Sequence, residues 1–163
     1  MLLLLLAQLA NGDFADWRDD RPASWEVTVG ASHGDGPASR LSKIDGGISL
    51  SGDGSTRRWL CLSQEISASP GKFLRLSFEA RATGLRREGG QFDNCWVQLG
   101  LHRQVRAATW TPETLLTRVP DGAKSARVQI FLSETGTLEV RNLKLDSPAP
   151  EESFAILADE LRR

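Results

Sequence analysis

The chain has no tyrosine, a single methionine, two histidines and two cysteines in 163 residues. The five tryptophans therefore carry much of the aromatic surface. His33 and His102 have no acid or cysteine at metal-ligand spacing, which excludes an ordinary zinc site and leaves both as surface or satisfied histidines. No G-x-S-x-G stretch is present, so a nucleophile elbow is excluded. Glu79 and Glu139 have the residue type of a glycosidase pair, but no spacing in the sequence brings them together. A basic excess is also missing. Twenty Lys and Arg face twenty-one Asp and Glu, a net charge of -1, which argues against a nucleic-acid partner. The pairs Arg57-Arg58 and Arg86-Arg87 read as solvated turns. Long hydrophobic runs are absent too. The opening MLLLLLAQLA is too short to cross a bilayer, so no membrane span is expected.

That opening run has the character of the hydrophobic part of a secretory signal followed by small residues, without a basic n-region or an A-x-A site. Residues 1–8 are expected to be the remnant of such a signal, and the protein to be secreted or periplasmic. The other reading is that Leu9 and Ala10 already belong to the first strand. By alternation Cys61 shares a face with Trp59 and Ser63, whereas Cys95 shares one with Val97 and Leu99. Opposite faces disfavour a disulfide, which needs closely apposed β-carbons, so two free thiols are expected.

What is present is alternation. In Gly71–Ala82, Leu74, Leu76, Phe78, Ala80 and Ala82 alternate with Arg75, Ser77, Glu79 and Arg81. Strand side chains project to opposite faces with period two, so this segment has a dry face and a wet one. It is expected to be a central strand. Asn11-Gly12-Asp13 is turn chemistry, with Phe14 and Trp17 as apolar plugs near the sandwich edge. Further strands are expected at Trp25–Ala31, around Ile48 and Leu50, at Arg58–Ile66, at Cys95–His102 with Leu101 inward, and at Ala126–Leu132. Trp110–Val119 reads as an edge strand broken by Pro112, and Leu138–Leu145 as the last strand. In that last strand the apolar phase slips between Val140 and Leu143, which predicts a β-bulge. Segments 33–39, 52–54 and 84–94 read as loops. Eight or so short strands at this spacing indicate an all-β, antiparallel jelly-roll β-sandwich over residues 9–146. Residues 147–163 read as a proline-bearing linker and the start of a helix. That helix carries Phe154, Leu157, Ala158 and Leu161 on one side and reads as the lead into a further domain.

Asn11-Gly12-Asp13-Phe14, Pro22 to Trp25, the Pro70-Gly71 turn, Val119 to Ala123 and the Gly136-led last strand occur in order and at sensible spacing. The chain from Leu9 to Asp146 thereby resembles carbohydrate-binding modules of the galactose-binding-like β-sandwich superfamily. The resemblance implies a non-catalytic module that targets an attached secreted enzyme to a glycan or polysaccharide. It also raises a structural calcium, held in many such modules by an acid after the opening Phe and another near the last strand. Here those places hold Ala15 and Arg141-Asn142; Asp13 or Asp16 could substitute, but a full set of oxygen ligands is not evident. No cofactor is expected. The tail from Phe154 resembles the helical lead-in of tail-specific (S41-type) serine peptidase domains, which implies a C-terminal catalytic domain of the same chain as partner. The alternative function is a structural or protein-contacting N-terminal domain of such a peptidase or another hydrolase, without sugar binding. A small hydrolase in its own right ranks third.

Sugar recognition needs an aromatic platform for a pyranose and planar polar groups for its hydroxyls. Trp59 and Trp96 fall on outward faces by alternation. Arg75, Glu79, Arg81, Gln98, His102 and Gln129 fall on such faces too, and would complete a groove if their strands are neighbours in one sheet. The competing arrangement has both indoles covered by loops, with Arg75, Glu79 and Arg81 paired across strands on a solvated face. Trp17 and Trp25 read as core, and Trp110 as undecided.

Overall fold

The computed structural model describes residues 8–31, 40–52, 58–86, 95–133 and 135–160. The strands are β1 (Trp17–Arg18), β2 (Arg21–Pro22), β3 (Glu26–Ala31), β4 (Arg40–Ile44), β5 (Gly47–Gly52) and β6 (Arg58–Ser67). They continue as β7 (Phe73–Arg86), β8 (Cys95–Leu99), β9 (Leu101–Gln104), β10 (Thr111–Arg118), β11 (Ser125–Leu132) and β12 (Thr135–Asp146), before helix α1 (Pro150–Glu160). A first sheet has the order β10-β7-β12-β5-β4 and a second the order β3-β6-β11-β8-β9. All pairings are antiparallel. The fold is an all-β jelly-roll sandwich with a short C-terminal helix.

The alternating residues of both sheets meet in one core. Ile48, Leu76, Phe78, Leu138 and Val140 come from the first sheet and Leu60, Leu62, Val97, Val128 and Ile130 from the second, all buried. Truncating a Leu or Ile in such a core to Ala costs about 2–5 kcal/mol, because the transfer energy is lost and a cavity remains. Phe14, expected at the edge, is 0 % exposed and packs against the core residue Trp25, with centroids 5.1 Å apart and planes tilted by 30°. Its backbone is in the left-handed region (φ 54). Side chains hold the turn in that conformation. The Trp17 indole donates to the Phe14 carbonyl at 2.8 Å, and Asn11 Nδ2 donates to the carbonyls of Asp16 and Ala23. Gln64, buried on β6, clamps the same segment by exchanging hydrogen bonds with the backbone of Ala10.

Five expectations change in detail. The strand that begins after Gly71 is interior, flanked by β10 and β12, but the middle of its sheet is β12; it also runs on to Arg86, where it pairs with Thr135. The expected single strand at Cys95–His102 is a hairpin: Gly100 (φ 71) reverses the chain, and Leu101 is 74 % exposed on the edge strand rather than inward. Pro112 does not break β10, which is an edge strand, where a missing N–H is tolerated. Strand β4 was not legible, since RLSKI is a half-exposed edge segment with little alternation. On α1 the deepest residue is Ser153, while Phe154 packs edge-on against Phe73 and stays 62 % exposed. The bulge expected in the last strand is present: the β12–β7 register slips between Arg141 and Lys144, with Asn142 at φ 56. The expected signal at 1–8, the loop at 33–39 and the helix end at Leu161 lie outside the described residues, apart from residue 8.

Candidate functional site

The outer face of the second sheet follows from its register. Thr28, Cys61, Phe131, Trp96 and Gln104 face one another across five strands in one row. Glu26, Ser63, Gln129, Gln98 and His102 form the next row. Trp59 stands two residues before Cys61 on the same face, opposite Gly30. A β-carbon at Gly30 would lie 1.9, 2.0 and 2.3 Å from three atoms of the Trp59 indole, so the ring rests against bare backbone of β3. Only glycine leaves that space.

Three rings thus run across neighbouring strands. Trp96 and Phe131 are offset-stacked, with centroids 4.7 Å apart and planes 14° from parallel. Trp59 continues the strip, 5.9 Å from Phe131 at 29°. All three are half-buried, so part of each side chain meets water. His102 flanks the far end, its ring 6.0 Å from Trp96. Beneath the strip Cys61 is 8 % exposed, and burial pushes its thiol pKa up, partly offset by a hydrogen bond from Gln129. A buried thiol held protonated is a poor nucleophile. Neither Cys61 nor Cys95 is in a disulfide, as their opposite faces led us to expect.

The outer face of the first sheet is built differently. Arg75 lies opposite Asp146, Glu79 opposite Arg141, and Arg81 opposite Glu139. Each couple is an ion pair: Arg75 Nη2–Asp146 Oδ2 at 2.7 Å, Arg141 Nε–Glu79 Oε2 at 2.9 Å, and Arg81 with Glu139. Glu152 of α1 adds a second carboxylate to Arg75. Asp146 first and Glu152 second hold the Arg75 pKa above the usual guanidinium range. Glu139 raises that of Arg81. Arg141, then Asn142, hold the Glu79 carboxyl below its ordinary value. Trp110 lies under both Arg141 (4.1 Å) and Arg81 (4.7 Å), which settles its place as a cation–π partner on this face.

The eight candidate residues therefore divide between the two faces. Trp59, Trp96, Gln98, His102 and Gln129 come together on the second sheet. Arg75, Glu79 and Arg81 belong to the opposite sheet, where they form the cross-strand ion pairs of the competing arrangement. They fail to join the groove because β7 pairs with β10 and β12, never with β6 or β8. Phe131, which completes the strip, shares the outward parity of Gln129 on β11, so its signal was available in the alternation. Glu26 and Ser63 were legible in the same way. Gly30 was not, because its role is to leave room. Glu79 and Glu139 do share a face, two positions apart in the β7–β12 register, yet each carboxylate is engaged by an arginine. The Glu79 carboxyl, held ionised by Arg141, is unsuited to act as a general acid.

The places where the resemblance would put calcium do not fit a divalent cation. The Ala15 carbonyl accepts from the Lys43 ammonium at 2.7 Å, and Asp13 Oδ1 accepts from the Ala15 amide. Asp16 is 4.0 Å from Arg18, and Asn142 donates to Glu79. Among the described residues no three acid, histidine or cysteine side chains converge as a metal would need. Nor, among those residues, is any helix long and apolar enough to cross a membrane.

No protein-family model matches the chain, and no curated protein matches it in sequence. Solved structures do match in fold. A CBM4 carbohydrate-binding module aligns with a TM-score of 0.61 at 17% identity, covering 86% of this chain and 100% of the module. TmCBM61, solved in complex with β-1,4-galactotriose, aligns at 0.52 and 14% identity over 86% of this chain and 97% of that one. The enzymatically active domain of tailspike protein 4 from bacteriophage CBA120 aligns at 0.60 and 14% identity; it covers 87% of this chain, which matches 21% of the phage protein. The antiparallel sandwich described above thus shares its fold with these solved structures.

Proposed function

We propose that this sandwich is a non-catalytic glycan-binding module whose ligand lies across the outer face of the second sheet. The observation that carries the reading is the half-exposed strip Trp59–Phe131–Trp96, flanked by the polar row Glu26, Ser63, Gln129, Gln98 and His102. Aromatic faces and edges take the apolar C–H patches of a pyranose, while amides, hydroxyl and carboxylate take its hydroxyl groups. Neighbouring strands lie about 4.8 Å apart, close to the length of one pyranose unit, so a strip across three of them suits a short run of sugars. A shallow site of this kind binds in the micromolar to millimolar range, roughly -4 to -8 kcal/mol. Linked to a catalytic domain, even that affinity raises the enzyme's local concentration on its substrate. We place such a targeted enzyme in a secreted or periplasmic setting.

Affinity electrophoresis against a panel of soluble polysaccharides tests this, with tryptophan fluorescence as a second readout. The expected result is retardation by at least one glycan, lost in Trp96→Ala. Unretarded migration in every gel, with emission unchanged by every glycan, would overturn the proposal and favour a scaffold or protein-contacting domain.

A further inference from the structure

The polar row beside the rings is biased in its hydrogen bonding. Gln98 Nε2 donates to the Gly100 carbonyl at 3.0 Å, and Gln129 Nε2 donates to Cys61 Sγ at 3.6 Å. The Ser63 hydroxyl donates to Glu26 Oε2 at 3.3 Å. In each residue a donor is committed to the protein. The acceptors Gln98 Oε1, Gln129 Oε1 and Glu26 Oε1 are engaged in none of these bonds. A primary amide has two N–H donors and an oxygen with two lone pairs, and a carboxylate only accepts. The open capacity of the row is therefore mainly that of an acceptor, with His102 at its far end able to donate as well.

Charge points the same way. Glu26 is the one formal charge in the two rows that border the strip. One step beyond, Arg127 stands opposite Glu65, so that position is balanced. Within these two rows the formal charge is negative, and its source, Glu26, is exposed.

Resting on the glycan-platform reading, we infer that this face selects chains that donate hydrogen bonds, uncharged or amine-bearing, and discriminates against carboxylated or sulfated ones. A ligand hydroxyl or ammonium donates into the Gln98, Gln129 and Glu26 oxygens. A ligand carboxylate or sulfate, having only lone pairs to offer, meets acceptors and the Glu26 charge. Like charges set opposite one another lower affinity and enforce specificity.

The test uses the full chain at low salt, titrated with soluble cellulose ether, galactan and mannan, each beside its carboxymethyl derivative, and with glucosamine and N-acetylglucosamine hexamers. For any backbone that binds, the carboxymethyl form should bind about tenfold more weakly. Added salt should narrow that gap, because exposed charges are screened. Glu26→Gln should also narrow it, read as the ratio between the two forms of one backbone. The glucosamine hexamer should bind at least as tightly as its acetylated counterpart. Equal or tighter binding of the carboxymethyl forms, or binding of the acetylated hexamer alone, would overturn the selectivity and leave the platform standing. No binding in any arm removes the platform, and the selectivity with it.

Discussion

The two outer faces of this sandwich are made by the same alternation and end in opposite chemical states. On the first sheet Arg75, Arg81 and Arg141 of the β7–β12 ladder each meet a carboxylate straight across the strand pair. On the second sheet the equivalent positions hold rings, amides and a thiol. Ion pairs between neighbours are self-complementary: each partner satisfies the other, and little capacity is left for a ligand. The stacked rings stay half-exposed, and the amides keep an oxygen outside these bonds. A row of charges in a sequence is therefore a weaker sign of a binding face than a row of half-exposed aromatics. Exposed pairs contribute modestly to stability, whereas a desolvated aromatic contact can dominate binding.

The comparison is broken most directly at the strip. Phe131→Ala removes the ring that joins the other two, and a central aromatic of this kind is worth about 2 kcal/mol or more in binding. Glycan affinity should fall roughly thirtyfold. The matching change on the other face, Arg81→Met, should leave affinity within about twofold, since that side chain faces away from the strip. Isothermal titration of both variants with the same oligosaccharide decides the matter. Should Arg81→Met prove the more damaging, the binding face has been assigned to the wrong sheet.

A somewhat smaller effect is expected at Gly30. A side chain there cannot coexist with the present position of the Trp59 indole, which comes as near as 1.9 Å to the would-be β-carbon. Gly30→Val should push the ring off β3 and weaken glycan binding about tenfold, while valine suits a strand better than glycine and should hold or raise the melting midpoint. Affinity and melting should thus move apart. If both stay at wild-type values, Trp59 is not part of the platform.

How far the sequence foretold this arrangement depends on which physical signal each part leaves. The interior is carried by period-two burial, so β6, β7, β8, β11 and β12 are readable, and even the bulge at Asn142 shows as a slip in apolar phase. β4 leaves no such trace because its residues are half wet on both sides. The Leu99–Leu101 reversal is hidden because a one-residue turn at Gly100 keeps the apolar parity running as though the strand continued. The site was half legible for a related reason. Alternation tells which side chains point outward, and it placed Trp59, Trp96, Gln98, His102 and Gln129 correctly; it carries no information on which sheet a strand joins. Assigning Arg75, Glu79 and Arg81 to the same face required strand order, and strand order is set by long-range packing.

The smallest effect belongs to the ionic face and is a dependence on pH. Arg141 and Asn142 hold the Glu79 carboxyl below its ordinary value of about 4.3. Its folded-state pKa is therefore lower than its unfolded one, so the group stabilises the native state at pH above the unfolded value. That contribution is lost as pH falls through the folded value, because the native state must then release or neutralise the pair. Thermal melts of wild type and Glu79→Gln, run from neutral pH into acid, should show wild type slightly more stable at neutrality and the two converging below the carboxylate range. Glycan affinity at neutral pH should be the same for both, since the change lies on the sheet that carries no strip. A melting gap that stays constant across the whole range would mean that the Arg141 pair contributes nothing through its charge. The first face would then be merely solvated, rather than closed by its own ion pairs.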